Sequence, residues 1–479
     1  MFREQEEEEI YQHQRNNLGR HGNNEDDGTL TEYHHRDKSS SILQFLRNNK
    51  IYIAIFIVAF IICIGLLIGL IVYNIVSKPN IVDHVSDRRV LMISIDGFRP
   101  DYLDMFKDDC KNLTRVFMDG VRAKTMKPIF PSKTFPNHYT IVTGLYAESH
   151  GIVSNSFYDP NFNAKFSMGS DESIKSRWWL GEPIWVTAEK QGMVAGSFFW
   201  PGSDVEIQGR YPTYYKKYDG DVDYETRVKT VFEWLDSDKP PQIVLTYFSA
   251  VDTAGHKYGP IYSEELRAAV KEVDNSIGLV LSQLEKRNLT DKVDLIIVSD
   301  HGMAYTPESK IVRMTDILGR NVLVGDEIFS MNDGPFFDLY IKDKSKVEPL
   351  FNELANSIQN NSTFSTAIQG VYLKNNMPDR FHFVNSDRIP DITILAKPEY
   401  SILRYSTSTL YGNGNHGWDN ESDLMGSLFI ARGKHFKQGF TSEESVRNLD
   451  VYSLLCKLLN LTPAPNNGTA DNFSSFLKL

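Results

Sequence analysis

Cysteine is scarce, with three in 479 residues. That count excludes a disulfide-built scaffold and a four-cysteine zinc finger. A basic excess is also missing. Lysine and arginine total 51 against 62 aspartates and glutamates, a formal charge of −11, so the footprint of a dedicated nucleic-acid binder is absent. An anionic substrate is still allowed, because metals or helix N-termini can make a site locally positive. Apolar residues are plentiful: 41% hydrophobic and 12% aromatic content supplies a large core. The mean hydropathy of −0.33 is that of a soluble protein, but it averages unlike parts.

Residues 51–76 read IYIAIFIVAFIICIGLLIGLIVYNIV, without one charge. A helix of that length spans the roughly 30 Å hydrocarbon core with some tilt. Its late start, its length and the lack of a cleavage site argue against a signal peptide. One transmembrane helix is expected. Arg36, Lys38, Arg47 and Lys50 precede it, and Lys78, Arg88 and Arg89 follow, a weak inside-positive bias. Eight N-x-S/T sequons, at Asn112, Asn288, Asn360, Asn361, Asn420, Asn460, Asn467 and Asn472, all lie after the run, where N-glycans are attached in a lumenal or extracellular body. The expected organisation is that of a single-pass type II membrane protein of the secretory pathway. Residues 1–50, acidic and polar, form a disordered cytosolic tail. Residues 77–89 are a stalk and residues 90–479 the body. The body shows no repeat and no long low-complexity linker, so one large domain with insertions is the simplest reading. Cys110 and Cys456 fall within it, either paired or buried as free thiols.

Apolar, β-branched runs at residues 90–95, 242–248 and 293–299 have the composition of strands buried on both faces. Residues 263–286 place Leu266, Val270, Val273, Ile277, Val280 and Leu284 at helical spacing. Strands alternating with helices predict a doubly wound α/β sheet, mostly parallel, with helices on both faces. In such folds ligands gather beyond the carboxyl ends of the strands. The three runs lead into Asp96, Asp252 and Asp300, which repel one another unless cations neutralise them. Histidines accompany them. Asp252-x-x-x-His256 reads as two ligands on a turn that Gly255 keeps tight, Asp300-His301 as an adjacent pair, and His416 stands in GNGNHG. Mixed Asp/His ligation suits zinc or a similar divalent ion. Thr134, in PSKTFPNH, is a candidate nucleophile that a metal can activate without a histidine base. As an alternative role it caps a helix.

The words ISIDGFRPDYL, PIFPSKTFPNHYTIVTGLYAESHGIVSN, GEPIWVTAEKQG, FFWPGSDVEI, DTAGHKYGP, SDHGM, GNHGWDN and LTPAPNNGT make the whole body resemble the catalytic domain of the nucleotide pyrophosphatase/phosphodiesterases of the alkaline phosphatase superfamily, most closely the fungal type. The resemblance implies two zinc ions. Asp96, Thr134, Asp300 and His301 match the ligands of one, with Thr134 the nucleophile; Asp252, His256 and His416 match those of the other. Asn155 matches a donor to a phosphate oxygen. Phe135 and Tyr218 match an aromatic pair that sandwiches the nucleotide base, and Tyr247 a further pocket tyrosine.

The implied reaction is zinc-dependent hydrolysis of nucleotide pyrophosphate and phosphodiester bonds, through a nucleotidyl-threonine intermediate. The alternatives are a choline-type lipid-headgroup phosphodiesterase and a phosphomonoesterase. The segment 157–176, which a lysophospholipid-cleaving relative lacks in part, favours nucleotides. Two further motifs are set aside. Gly412-x-Gly-x-x-Gly417 has neither the preceding strand nor the following helix of a dinucleotide site, and Asp219-x-Asp221-x-Asp223 lacks the glycine and glutamate of a calcium loop.

Overall fold

The apolar runs become the centre of an eight-stranded sheet. The computed structural model describes residues 47–49, 54, 58–67, 69, 88–323 and 325–478. In chain order the strands of the main sheet are β1 Arg89–Ile95, β2 Val121–Arg122, β3 Ala195–Phe198, β4 Tyr214–Lys216, β5 Ile243–Phe248, β6 Val293–Val298, β7 Phe429–Arg432 and β8 Phe440–Thr441. Their spatial order is β8-β2-β7-β6-β1-β5-β3-β4. Only β7 runs against its neighbours, β2 and β6; every other adjacent pair is parallel. The sheet is therefore mixed and mostly parallel.

Both of its faces are covered. Met92, Leu245 and Ile296 point to one side, where they join α1 Thr134–Thr143 and α5 Val451–Leu459 in one core. Leu91, Val244 and Leu295 point to the other, against α2 Tyr224–Leu235 and α4 Glu264–Lys286. The last helix shows why the sequence pattern works. The Ser263 side chain accepts the N–H of Leu266 at its start, two glutamates sit in the first turn and Lys286 in the last, and its six periodic apolar residues are all buried. Such a cap is worth about 1 kcal/mol, whereas each buried Leu, Ile or Val contributes about 1.5–3 kcal/mol. Packing of the apolar face thus dominates.

Between β6 and β7 the chain makes a second, antiparallel sheet of four strands, in the order Ile328–Phe329, Phe336–Ile341, Ile392–Ala396, Ile368–Leu373. It has its own core, closed by the helix Val347–Gln359. Cys110 and Cys456 are free and lie in cores on opposite faces of the main sheet. Burial pushes both thiols up to about 12.

Contact density divides the chain at residue 81. In the first unit, residues 58–67 are helical and exposed. Among the described residues no helix is long and apolar enough to cross a membrane. The remainder of the expected 51–76 span, nearly all of the expected tail and most of the stalk lie outside the described residues.

Candidate active site

Three strands deliver carboxylates to one edge of the sheet. Asp96 directly follows β1, Asp300 stands two residues beyond β6, and Asp252 lies in α3 Ala250–Tyr258, which begins two residues after β5. Asp252 and His256 are therefore i and i+4 on a helix, not on a turn, so their side chains share one face. Gly255 answers to packing instead: a Cβ there would meet Met303 Cε at 3.2 Å. Gly97 is fixed more firmly. Its φ is +66°, and a Cβ would come within 3.0 Å of Asp252, so the chain turns after Asp96 only with glycine.

Asp252, His256 and His416 converge with ligand atoms within 4.8 Å of one another, and so do Asp96, Asp252 and His301. His416 arrives on a short antiparallel pairing of Gly414–Asn415 with Ala304–Tyr305, which is what the glycine-rich motif builds. The His301 and His416 rings stack at 3.6 Å, so the two clusters adjoin.

The electrostatics call for cations. Asp96 Oδ1, Asp252 Oδ1 and Asp300 Oδ2 are buried without a hydrogen-bond donor. His301 Nε2 stands 3.5 Å from the first and 3.0 Å from the third, and His256 Nε2 is 3.5 Å from the second. Two ligands on one tetrahedral zinc, each bonded at about 2.0–2.2 Å, stand roughly 3.3 Å apart, which these spacings bracket. Each histidine turns its other nitrogen to a backbone carbonyl: His256 Nδ1 to Gly414 at 3.0 Å, His301 Nδ1 to Gly302 at 2.8 Å and His416 Nδ1 to Ser132 at 2.9 Å. This leaves each Nε2 lone pair facing the clusters, as metal ligation requires. Without a cation the carboxylates cannot all ionise. Burial, then Asp300 and Asp252, raises Asp96 well above the usual carboxylate range. Burial pushes Asp300 the same way, but His301 and His138 outweigh it and hold Asp300 well below that range. The donor set fits two divalent ions.

Thr134 is the first residue of α1, whose N-cap is Lys133. Its hydroxyl does not cap the helix; Oγ1 stands 3.3 Å from His301 Nε2. Asn155 Oδ1 accepts the Phe135 N–H at 2.8 Å, which leaves its amide N–H groups for other acceptors. Thr134, Asn155, Asp252, His256 and His416 line one cleft of about 330 Å³, with Tyr411 at its rim. Phe135 is half-buried against Phe166 and Trp179. Tyr218 is exposed, its ring 5.3 Å from Phe199 and 6.5 Å from Tyr247. Tyr247 is buried and donates its hydroxyl to Asp96 Oδ2 at 2.6 Å.

His138 carries a role that the sequence did not announce. Its Nδ1 bonds the Thr134 carbonyl at 2.9 Å and lies 3.3 Å from Asp300 Oδ2, while Nε2 meets Ser94 Oγ at 2.8 Å. A nitrogen that donates to a carbonyl has no lone pair for a metal, so His138 steadies Asp300 and α1 instead. Its position four residues after Thr134, on the same helix face, was the available signal.

A mostly parallel sheet with helices on both faces and carboxylate–histidine clusters at its strand ends has the architecture of the alkaline phosphatase superfamily. Residues 90–419 match the family of type I phosphodiesterase / nucleotide pyrophosphatase, and the chain belongs to that family. It is 41% identical over 395 residues to human ectonucleotide pyrophosphatase/phosphodiesterase family member 1, covering 81% of this chain and 42% of that protein. It is 38% identical over 394 residues to the venom phosphodiesterase of Macrovipera lebetinus, covering 81% and 45%. The chain thus spans less than half the length of these curated relatives. Among solved structures, murine ectonucleotide pyrophosphatase/phosphodiesterase 5 superposes with a TM-score of 0.75 at 34% identity, covering 82% of this chain and all of that one. An inactive variant of that murine protein was solved in complex with AMP.

Proposed function

We propose that this protein hydrolyses nucleotide pyrophosphate and phosphodiester bonds with Thr134 as nucleophile and two zinc ions as cofactors. The observation that carries the reading is Thr134 itself: a buried hydroxyl at a helix N-terminus that caps nothing and faces His301 at 3.3 Å. Asp96, Thr134, Asp300 and His301 would hold one ion and Asp252, His256 and His416 the other. Bound there, the ions supply Lewis-acid stabilisation of the charge that develops on oxygen. The Thr134 hydroxyl gives up its proton to solvent as Oγ1 forms the bond to the α-phosphorus and the bond to the leaving oxygen breaks, giving a nucleotidyl-threonine. The departing pyrophosphate or alcohol takes up a proton from water as its basicity requires. Water then attacks the same phosphorus and returns the threonine hydroxyl and a nucleoside 5′-monophosphate. Asn155, oriented by the Phe135 N–H, donates to a non-bridging oxygen. Phe135 and Tyr218 stack on the base, which tolerates any base identity. The AMP complex of the murine relative supports a nucleotide monophosphate as ligand of this fold.

A substrate panel tests the reading. The protein should cleave a nitrophenyl ester of a nucleoside monophosphate far better than nitrophenyl phosphate or a choline phosphodiester, and a chelator should abolish the activity. Preference for either of the last two substrates overturns it.

We further propose that residues 51–76 anchor the chain as a type II membrane protein with a lumenal or extracellular, N-glycosylated body. The uncharged run of 26 residues and the position of the sequons support this. Resistance to alkaline carbonate extraction, with the body protected from protease in sealed microsomes, is the expected result.

A further inference from the structure

The inserted antiparallel sheet carries, in the loop between its Ile328–Phe329 and Phe336–Ile341 strands, a side chain that reaches toward the active site, that of Asn332, which the reaction itself does not use. Asn332 is buried, and all four hydrogen-bonding positions of its amide are filled. Its Oδ1 accepts from Lys133 Nζ at 3.2 Å and from Ser154 Oγ at 3.1 Å. Its Nδ2 donates to Asp338 Oδ2 at 2.6 Å and to the Ser156 carbonyl at 2.8 Å. Asp338 lies on the strand Phe336–Ile341 and is completely buried. Its Oδ1 accepts the backbone N–H groups of Met331 and Asn332 and the Ser330 hydroxyl, at 2.8, 3.0 and 2.9 Å. The amide is thereby held in one orientation, because neither of its ends can exchange roles without losing bonds.

The two groups gathered on Oδ1 are the neighbours of the chemistry. Lys133 immediately precedes Thr134, and Ser154 immediately precedes Asn155. We propose that Asn332 is a positioning residue: one carbonyl oxygen ties the nucleophile segment to the segment bearing the phosphate donor and so fixes their separation. Phe135 N–H on Asn155 Oδ1 is the second tie between the same segments, so Thr134 and Asn155 are spanned by a bond on either side. The role rests on the proposed function of Thr134 and Asn155. Its physical basis is that displacement of reacting groups by about 1 Å costs up to roughly 100-fold in rate.

A double-mutant cycle in the full-length, zinc-loaded protein tests it. Asn332→Ala should lower kcat on the nitrophenyl nucleotide diester by roughly 10- to 100-fold while KM stays within about 2-fold and bound zinc is unchanged. Added to Asn155→Ala, it should cost little more, since the donor it aligns is gone. Losses that multiply in full, or a near-normal kcat in Asn332→Ala, overturn the role. If Asn332→Ala does not fold, Ser154→Ala cuts only the limb to Asn155. A kcat loss that is non-additive with Asn155→Ala supports the proposal; no loss, or an additive one, overturns it. A wild-type protein inactive toward this diester would overturn the proposed function instead, and the same cycle on the substrate it does cleave still decides the role of Asn332.

Discussion

The Tyr247 hydroxyl donates to Asp96 Oδ2 at 2.6 Å, and Asp96 Oδ1 faces the histidine cluster without a donor. One carboxylate is therefore divided between a phenol that holds it and a cation that it would hold. This bond gives Tyr247 work apart from any contact with a base. Tyr247→Phe should lower zinc affinity or kcat by roughly 10- to 100-fold, as loss of an outer hydrogen bond to a metal ligand does, with KM for nucleotide little changed. Metal titration and steady-state kinetics separate the cases. A rise in KM alone returns Tyr247 to the substrate pocket.

Removing the Thr134 hydroxyl should separate chemistry from binding. Thr134→Ala is expected to lose roughly 1,000-fold or more in kcat, the scale for a nucleophile removed from a preorganised site, while its melting temperature and zinc content stay near wild type. Thr134→Ser should keep measurable turnover. Wild-type-like rates in Thr134→Ala would dismiss the covalent route.

Chelation should destabilise the protein as well as inactivate it. Asp96, Asp252 and Asp300 each keep a buried oxygen without a donor, so the metal-free site leaves buried polar groups unsatisfied. Differential scanning calorimetry with and without chelator should show a lower Tm for the stripped protein and recovery on adding zinc.

Acid should act on His150. Its Nδ1 accepts the Ile152 N–H at 3.2 Å, and its Nε2 meets Thr140 Oγ1 at 3.0 Å. Burial lowers its pKa to about 3 from the usual 6.5. Between those values the unfolded chain binds a proton that the folded one refuses, so the contribution is present above about pH 6.5 and is lost as pH falls toward 3. The slope of unfolding free energy against pH from 6 to 4 should be shallower in His150→Gln than in wild type, by close to one proton. Equal slopes would show that His150 takes up its proton within the fold.

Sequon occupancy should divide along hydrogen bonds. Asn112 Nδ2 is bound by Asp274, Asn420 Nδ2 by the Pro128 carbonyl and Asn472 Nδ2 by Asp450. A glycan on that nitrogen displaces the partner. Asn288, Asn360, Asn361, Asn460 and Asn467 are exposed. Mass spectrometry after enzymatic deglycosylation should find marked asparagines only among these five.

Much of this arrangement was legible in the sequence for a physical reason. Strands β1, β5 and β6 are buried on both faces, so their runs are continuous, and the carboxylates at their ends stand out against the apolar background. Long α4 is periodic enough to read directly. What stayed hidden depends on contacts distant in sequence. Strands β2 and β8 are two residues long, too short to show alternation. Asp252 and His256 fit a turn as well as a helix by spacing alone. Asn332 and Asp338 sit in no motif, and their importance appears only when residues about 180 and 200 positions away, Ser154 and Lys133, fold onto them.

His416 completes the second cluster with Asp252 and His256, yet it lies beyond the whole inserted sheet. A growing chain therefore has no such cluster until nearly all of the body has been synthesised. Domains fold as units, from the N-terminus onward; Asp96, Thr134, Asp300 and His301 are all in place by residue 301, but Asp252 and His256 would wait for His416. Loading of the second proposed ion would then be one of the last steps in the protein's maturation, performed in whichever compartment holds the finished body. The zinc supply of that compartment, more than that of the ribosome's surroundings, would set how much of the protein is active.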